Sequence, residues 1–74
     1  LKVELIEVQG DQVEFADLLG CSGKLEMEGE RGYSVFYPEN RGDWLHMSKI
    51  KSRKEGDKIS IFTTLGNKFV FKAI

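Results

Sequence analysis

Few side chains in this sequence are suited to covalent or metal chemistry. There is one His, His46, and one Cys, Cys21. One thiol and one imidazole cannot make the four-ligand set of a structural zinc site, and an unpaired Cys cannot form an intramolecular disulfide. His46 stands beside Trp44 and Met47 in a strand pattern, the setting of a packed or surface His rather than of a general base. Cys21 follows Leu19-Gly20 at a strand end and reads as a small apolar residue, with Ser22-Gly23 as a turn. The acidic residues alternate outward on strands and form solvated faces. No glycine-rich phosphate loop, metal triad or paired-acid motif is present. The expectation is a protein that is not an enzyme, with no catalytic residue, metal or cofactor.

The tripeptide Arg41-Gly42-Asp43 is one that adhesion receptors read. It lies in Pro38-Glu39-Asn40-Arg41-Gly42-Asp43, between two strand patterns. Pro, Asn, Gly and Asp each favour turns for a separate physical reason, so a turn accounts for it. An adhesion signal would require a secreted protein, for which nothing else in the chain argues.

Basic residues give the stronger pattern. Residues 1–30 carry two basic and eight acidic groups, a net −6, while residues 31–74 carry nine basic and four acidic groups, a net +5. The whole chain, at −1, conceals this split. Opposed halves can steer an anionic partner to one side, or let copies meet head to tail.

The elements that position these groups are strands. Eight Gly and one Pro punctuate short runs that alternate apolar and polar with period two, the signature of half-buried strands. Strands are expected at 2–9, 12–19, 24–29, 33–38, 44–54, 58–64 and 68–73, with a bend or bulge near Ser48 in the long fifth one. Gly-Asp turns at Gly10-Asp11 and Gly56-Asp57 suit type II′. The first pairs Val8 with Val13 and Ile6 with Phe15; the other pairs Ile50 with Thr63 and Ser52 with Ile61. A three-residue loop Glu30-Arg31-Gly32 pairs Met27 with Val35 and Leu25 with Tyr37. A loop Leu65-Gly66-Asn67, with Asn67 in the left-handed position, pairs Ile61 with Phe71 and Thr63 with Phe69. The expected core is Ile6, Val8, Phe15, Leu25, Met27, Val35, Ile59, Ile61, Phe69 and Phe71.

The expected architecture is one all-β domain over residues 1–74, a small antiparallel barrel or two-sheet sandwich built from successive hairpins. In length and strand count it resembles small SH3-like or Sm-like barrels, a likeness of fold that assigns no site residue. A domain of 74 residues buries only about 60% of its unfolded surface. With no disulfide to staple it, and Phe36, Trp44 and Phe62 left over for the surface, a homo-oligomer is expected. No run approaches the ~18 apolar residues of a membrane span. The opening LKVELIEVQGD lacks a signal-peptide pattern, and one unpaired Cys suits a reducing compartment, so the cytoplasm is the expected location.

Face parity over the last three strands then defines the site. With Ile50, Ile59, Ile61, Thr63, Phe69, Phe71 and Ala73 inward, the other face carries Lys49, Lys51, Arg53, Lys58, Lys68 and Lys72 around Phe62, with Val70 beside it and no acidic group. Lys51 falls opposite Phe62, and Phe62 opposite Val70. The partner-binding set is Lys49, Lys51, Arg53, Phe62, Val70 and Lys72. A basic sheet face with an apolar centre suits docking on an acidic protein surface or a second copy. The alternative is single-stranded nucleic acid, with Lys and Arg on phosphates and Phe62 stacked on a base. Lys on exposed strands also guards against edge pairing.

Overall fold

The computed structural model describes residues 1–10, 17–28 and 33–74. The described residues hold seven strands and no α-helix: β1 (Lys2–Gln9), β2 (Ser22–Glu26), β3 (Ser34–Pro38), β4 (Leu45–Met47), β5 (Lys49–Glu55), β6 (Lys58–Thr63) and β7 (Lys68–Ala73). All pairs are antiparallel, in one sheet ordered β4-β3-β2-β1-β7-β6-β5. The all-β expectation holds. The sheet is not closed into a barrel: β4 and β5 are its two edges, and no ladder joins them.

The two edges are nevertheless consecutive in the chain, separated by Ser48 alone. The sheet must therefore curl until its ends meet at that residue. The Ser48 and Thr64 hydroxyls are 2.8 Å apart and the Thr64 N–H donates to the Ser48 carbonyl, tying this corner to the end of β6. The expected bend at Ser48 is thus the point at which the chain passes from one edge to the other. Phe36 on β3 and Phe71 on β7 lie three strand positions apart, which in a flat sheet would be about 14 Å. Their ring centroids are 5.0 Å apart, so the halves fold toward each other over a shared core. That core joins Val3, Leu5, Leu25, Phe36, Leu45 and Met47 to Ile59, Ile61, Phe69 and Phe71.

Two bulges help produce the curl, because an extra residue on one strand bends it and increases its twist. One falls between Leu5 and Glu7, the other between Lys49 and Lys51. Each reverses the parity expected for its strand. Val3 and Leu5 are fully buried, while Ile6, expected in the core, is 37% exposed; Val8, beyond the bulge, packs against the core. Ile50, expected inward opposite Thr63, is 64% exposed, and Lys49 takes its place opposite Thr63.

The β2–β3 register differs by one residue from the expected one. Leu25 faces Phe36 and Glu26 faces Val35, so every β3 side chain changes face. Phe36, expected at the surface, is fully buried; Val35 is buried too, but on the outer face and outside the central core. The final loop is three residues long, as expected, but comprises residues 64–66, closed by the Thr63 N–H donating to the Asn67 carbonyl. Gly66, with φ +82°, takes the left-handed position instead of Asn67, as the residue with no Cβ to clash there. Ile61 accordingly pairs with Phe69 and Ile59 with Phe71, a shift of two that leaves the faces unchanged.

The Val8–Val13 and Ile6–Phe15 pairs and the Glu30-Arg31-Gly32 loop lie outside the described residues. Of the expected strand 12–19, residues 17–18 form a 3-10 turn leading into a turn at 19–20. β1 instead pairs with β2 on one side and β7 on the other.

Candidate functional site

The outer face of β1, β7, β6 and β5 is a grid that the register sets out in rows. Its first row reads Glu4, Lys72, Lys58, Glu55; its second Glu7, Val70, Ser60, Arg53; its third Gln9, Lys68, Phe62, Lys51. The expected juxtaposition of Lys51 with Phe62 is present. Phe62 faces Lys68 across β7 rather than Val70, which faces Ser60.

Five of the six expected site residues share this face: Lys51, Arg53, Phe62, Val70 and Lys72. Lys49 does not. The bulge at Ile50 turns it away, and its ammonium donates to the Glu28 carboxylate at 2.9 Å and to the Met27 carbonyl. That carbonyl also accepts from the Ser34 hydroxyl, so Lys49 pins the β4–β5 corner to the strand ends of β2 and β3.

The face is also less uniformly basic than parity implied. Glu4 and Glu7 arrive through the pairing of first strand with last, and Glu55 continues the alternation of β5. Glu55 accepts from the Arg53 guanidinium, and Glu7 from the Gln9 side-chain amide. In the first row Lys72 and Lys58 each have a carboxylate on their outer side. Positive charge therefore concentrates in the third row, where the Lys51 ammonium lies 4.9 Å and the Lys68 ammonium 5.6 Å from the Phe62 ring centroid. Cations so placed are held by the ring quadrupole. Beside this row runs a groove of about 350 Å³, lined by the apolar Ile6, Phe62 and Val70 and by Glu7, Arg53, Glu55, Lys58, Ser60 and Lys68.

No protein family, no curated protein and no solved structure matches the chain. Among the described residues, no three of His, Cys, Asp and Glu converge as metal ligands, and no helix is long and apolar enough to cross a membrane. Cys21 is half-buried against the core.

A second surface, not foreseen as a site, lies on the outer face of β3 and β4. Tyr33, His46, Trp44 and Tyr37 form a chain of rings with successive centroids 6.1, 6.2 and 6.0 Å apart. Trp44 is 56% exposed, and a cleft of about 150 Å³ opens beside it, lined by Asp17, Leu18, Pro38, Arg41, Asp43 and Leu45. The spacing of two between Trp44 and His46, and of four between Tyr33 and Tyr37, was the available sequence signal; the slipped register hid it by turning Tyr37 inward.

Arg41 closes one side of the cleft. Its Nε donates to Asp43 Oδ1 and its Nη2 pairs with Asp17 Oδ2, both at 3.2 Å. The hydrogen bond from Arg41 holds the Asp43 carboxyl below its ordinary value, and the same bond, with the charges of Asp43 and Asp17, raises that of Arg41. Arg41-Gly42-Asp43 thus follows the turn at Glu39-Asn40 and bends at Gly42, with Arg41 and Asp43 bonded to each other.

Proposed function

We propose that the protein is a non-enzymatic docking module. It takes an acidic segment of a protein partner on the outer face of β5–β7, with carboxylates at Lys51 and Lys68 and an apolar side chain in the groove over Phe62, Val70 and Ile6. One observation carries this: a half-buried ring flanked by two ammoniums, with no carboxylate in its row, at the end of a groove in which Ile6 and Val70 lie among polar and charged side chains. A cation pair around a partly dehydrated ring offers an anion stronger attraction than two isolated surface lysines, and the groove adds contact area. Single-stranded nucleic acid fits less well. Stacking platforms carry two or three rings, whereas Phe62 is the only aromatic residue in the grid and both its neighbours are lysines. Glu4, Glu7 and Glu55 would also face a phosphate backbone crossing the sheet.

The test is a titration of a labelled peptide alternating Glu and Leu, beside a labelled oligothymidine, at two salt concentrations. The peptide is expected to bind, and Phe62→Ala to cost about 2 kcal/mol, the loss of a central anchor. Tighter oligothymidine binding, with a log–log salt slope near −0.7 per phosphate contacted, would replace the protein partner with nucleic acid. Unchanged peptide binding by the Lys51→Glu/Arg53→Glu/Lys72→Glu triple variant would show that the face is wrong.

A further inference from the structure

The two edges of the sheet differ. β4 is three residues long, and its Leu45 and Met47 are buried in the core. β5 is seven residues long, and every residue from Ile50 to Glu55 is exposed. A long exposed edge is a template for pairing with another chain, and proteins blunt such edges by shortening, covering or charging them. β5 is neither short nor covered, so its charges decide what it can pair with.

The direction of its free backbone groups follows from the register. The Thr63 N–H donates to the Asn67 carbonyl, so Thr63 bonds on the β7 side of β6. Bonding direction alternates along an antiparallel strand. Ile61 and Ile59 therefore also bond toward β7, while Phe62, Ser60 and Lys58 bond toward β5. Their partners on β5 are Lys51, Arg53 and Glu55. The residues between these, Ser52 and Lys54, direct their N–H and C=O groups away from the sheet. Among the described residues, nothing hydrogen-bonds to them on that side.

Lys51 and Arg53 stand on the grid face of this edge and Lys54 on the other, opposite Ile59. Arg53 pairs with Glu55, whereas Lys51 and Lys54 have no carboxylate partner among the described residues. A second β5 laid antiparallel on the first would set Lys and Arg against Lys and Arg, which is destabilising. The β4 edge of a second copy offers only Leu45, His46 and Met47, with no carboxylate to set against these cations. An extended segment bearing Glu or Asp meets the same charges favourably, and its backbone takes up the free N–H and C=O groups. The cations that repel a second copy therefore select an acidic strand.

We propose that β5 accepts an acidic, extended segment of a partner protein as an added antiparallel strand. The residues of that segment opposite Ser52 and Lys54 exchange backbone hydrogen bonds with them, so that the main chain supplies affinity and the alternate side chains supply specificity. Carboxylates on the intervening residues lie opposite Lys51 and Arg53 on the grid face. The edge uses backbone groups, and neither Phe62 nor the groove beside it, so this proposal does not rest on the docking reading above.

The probe is a fluorescein-labelled peptide of about eight residues alternating Thr and Glu, long enough to span β5, titrated with the intact protein and followed by anisotropy. Two derivatives carry N-methyl groups, one on every Thr nitrogen and the other on every Glu nitrogen. An added strand turns alternate amides toward its neighbour, so the two derivatives must differ, whereas docking through the groove alone would respond equally to both. Saturable binding of the parent peptide is expected. Methylation of Thr should weaken it by at least about tenfold, as for the loss of about two hydrogen bonds, and methylation of Glu should leave it nearly unchanged. Ser52→Pro removes an outward N–H at an edge position, where Pro is tolerated, and should weaken binding by a similar factor while the circular dichroism stays that of the folded protein. If that variant does not fold, the methylated pair still decides. The proposal is overturned by equal effects of the two methylations, by the opposite order, by equal binding of a peptide with Lys in place of Glu, or by no saturation. It is also overturned by tighter binding of an oligothymidine, or if light scattering shows a dimer that Ser52→Pro converts to a monomer, which would place a second copy on the edge.

Discussion

The contact between Phe36 and Phe71 can be tested quantitatively. It is the most direct sign that the sheet curls, since β3 and β7 meet only if strands three positions apart turn toward each other. Both side chains are fully buried. Truncating either to Ala would cost about 3–5 kcal/mol. A chain of 74 residues has about 4–11 kcal/mol in total, at ~0.05–0.15 per residue, so Ala variants risk unfolding. Leu is the better probe, because it removes the ring and keeps most of the volume. Phe36→Leu and Phe71→Leu should each lower stability by roughly 1–1.5 kcal/mol, or about 4–12 °C in melting temperature at ~4–8 °C per kcal/mol. Edge-to-face and offset ring pairs contribute about 0.5–1.5 kcal/mol beyond area burial. The double variant should therefore be less destabilised than the sum of the singles by about that amount. The assay is urea unfolding followed by far-UV circular dichroism on all four proteins. Additivity within about 0.3 kcal/mol, the scatter of independent sites, would mean that the rings do not touch and that the sheet is flatter than described.

Four further outcomes follow from the same geometry. Gly23→Ala should destabilise by at least ~2 kcal/mol, as overpacking does, because an added Cβ would lie 2.0 Å from the Tyr37 carbonyl oxygen; a melting curve matching wild type would refute the close β2–β3 approach. Ile50→Ala should change stability by less than about 0.5 kcal/mol, as at an exposed position, and a loss of 2 kcal/mol or more would restore Ile50 to the core. The Asp43 carboxyl is held below its ordinary value of 3.8 by the hydrogen bond from Arg41, so this contribution is full above that value and is lost as the pH falls through the folded one. The melting-temperature gap between wild type and Arg41→Gln should accordingly close in acid, and a gap that widens there would refute the pairing. Homo-oligomers are expected from the small core and the single Cys, which allows no internal disulfide, and static light scattering that gives the 8.4 kDa monomer at high micromolar concentration would remove that expectation.

What was legible in the sequence was whatever a short turn controls. The Gly56-Asp57 turn fixes the β5–β6 register from Lys51↔Phe62 through Glu55↔Lys58, and with it the pairing at the centre of the grid. In the last hairpin, parity survived a two-residue shift because a shift of two returns each side chain to its own face. Register failed where one extra residue enters. A bulge leaves only a faint trace, the adjacent apolar pair Leu5-Ile6 in β1, and Ile50 between two lysines leaves none that period-two reasoning can separate from a regular strand. Phe36 and Tyr37 are both aromatic and adjacent, so either register of β3 buries a ring, and composition alone could not choose between them.

The rest of the site depends on contacts that no local rule supplies. Glu4 and Glu7 reach the grid because the first strand pairs with the last, across more than 60 residues of chain. Their arrival changes the chemistry: Lys72 gains Glu4 as a neighbour, the first row becomes balanced, and the unbalanced charge is confined to Lys51 and Lys68 around Phe62. The charge split between the halves of the sequence is therefore only partly preserved in space. β1 brings acidic groups to the basic half of the sheet, while Arg41 sits among carboxylates on the other. Among the described residues, Lys51 and Lys68 stand beside the one ring at Phe62, whereas the carboxylates of Asp17 and Asp43 near Trp44 are paired with Arg41.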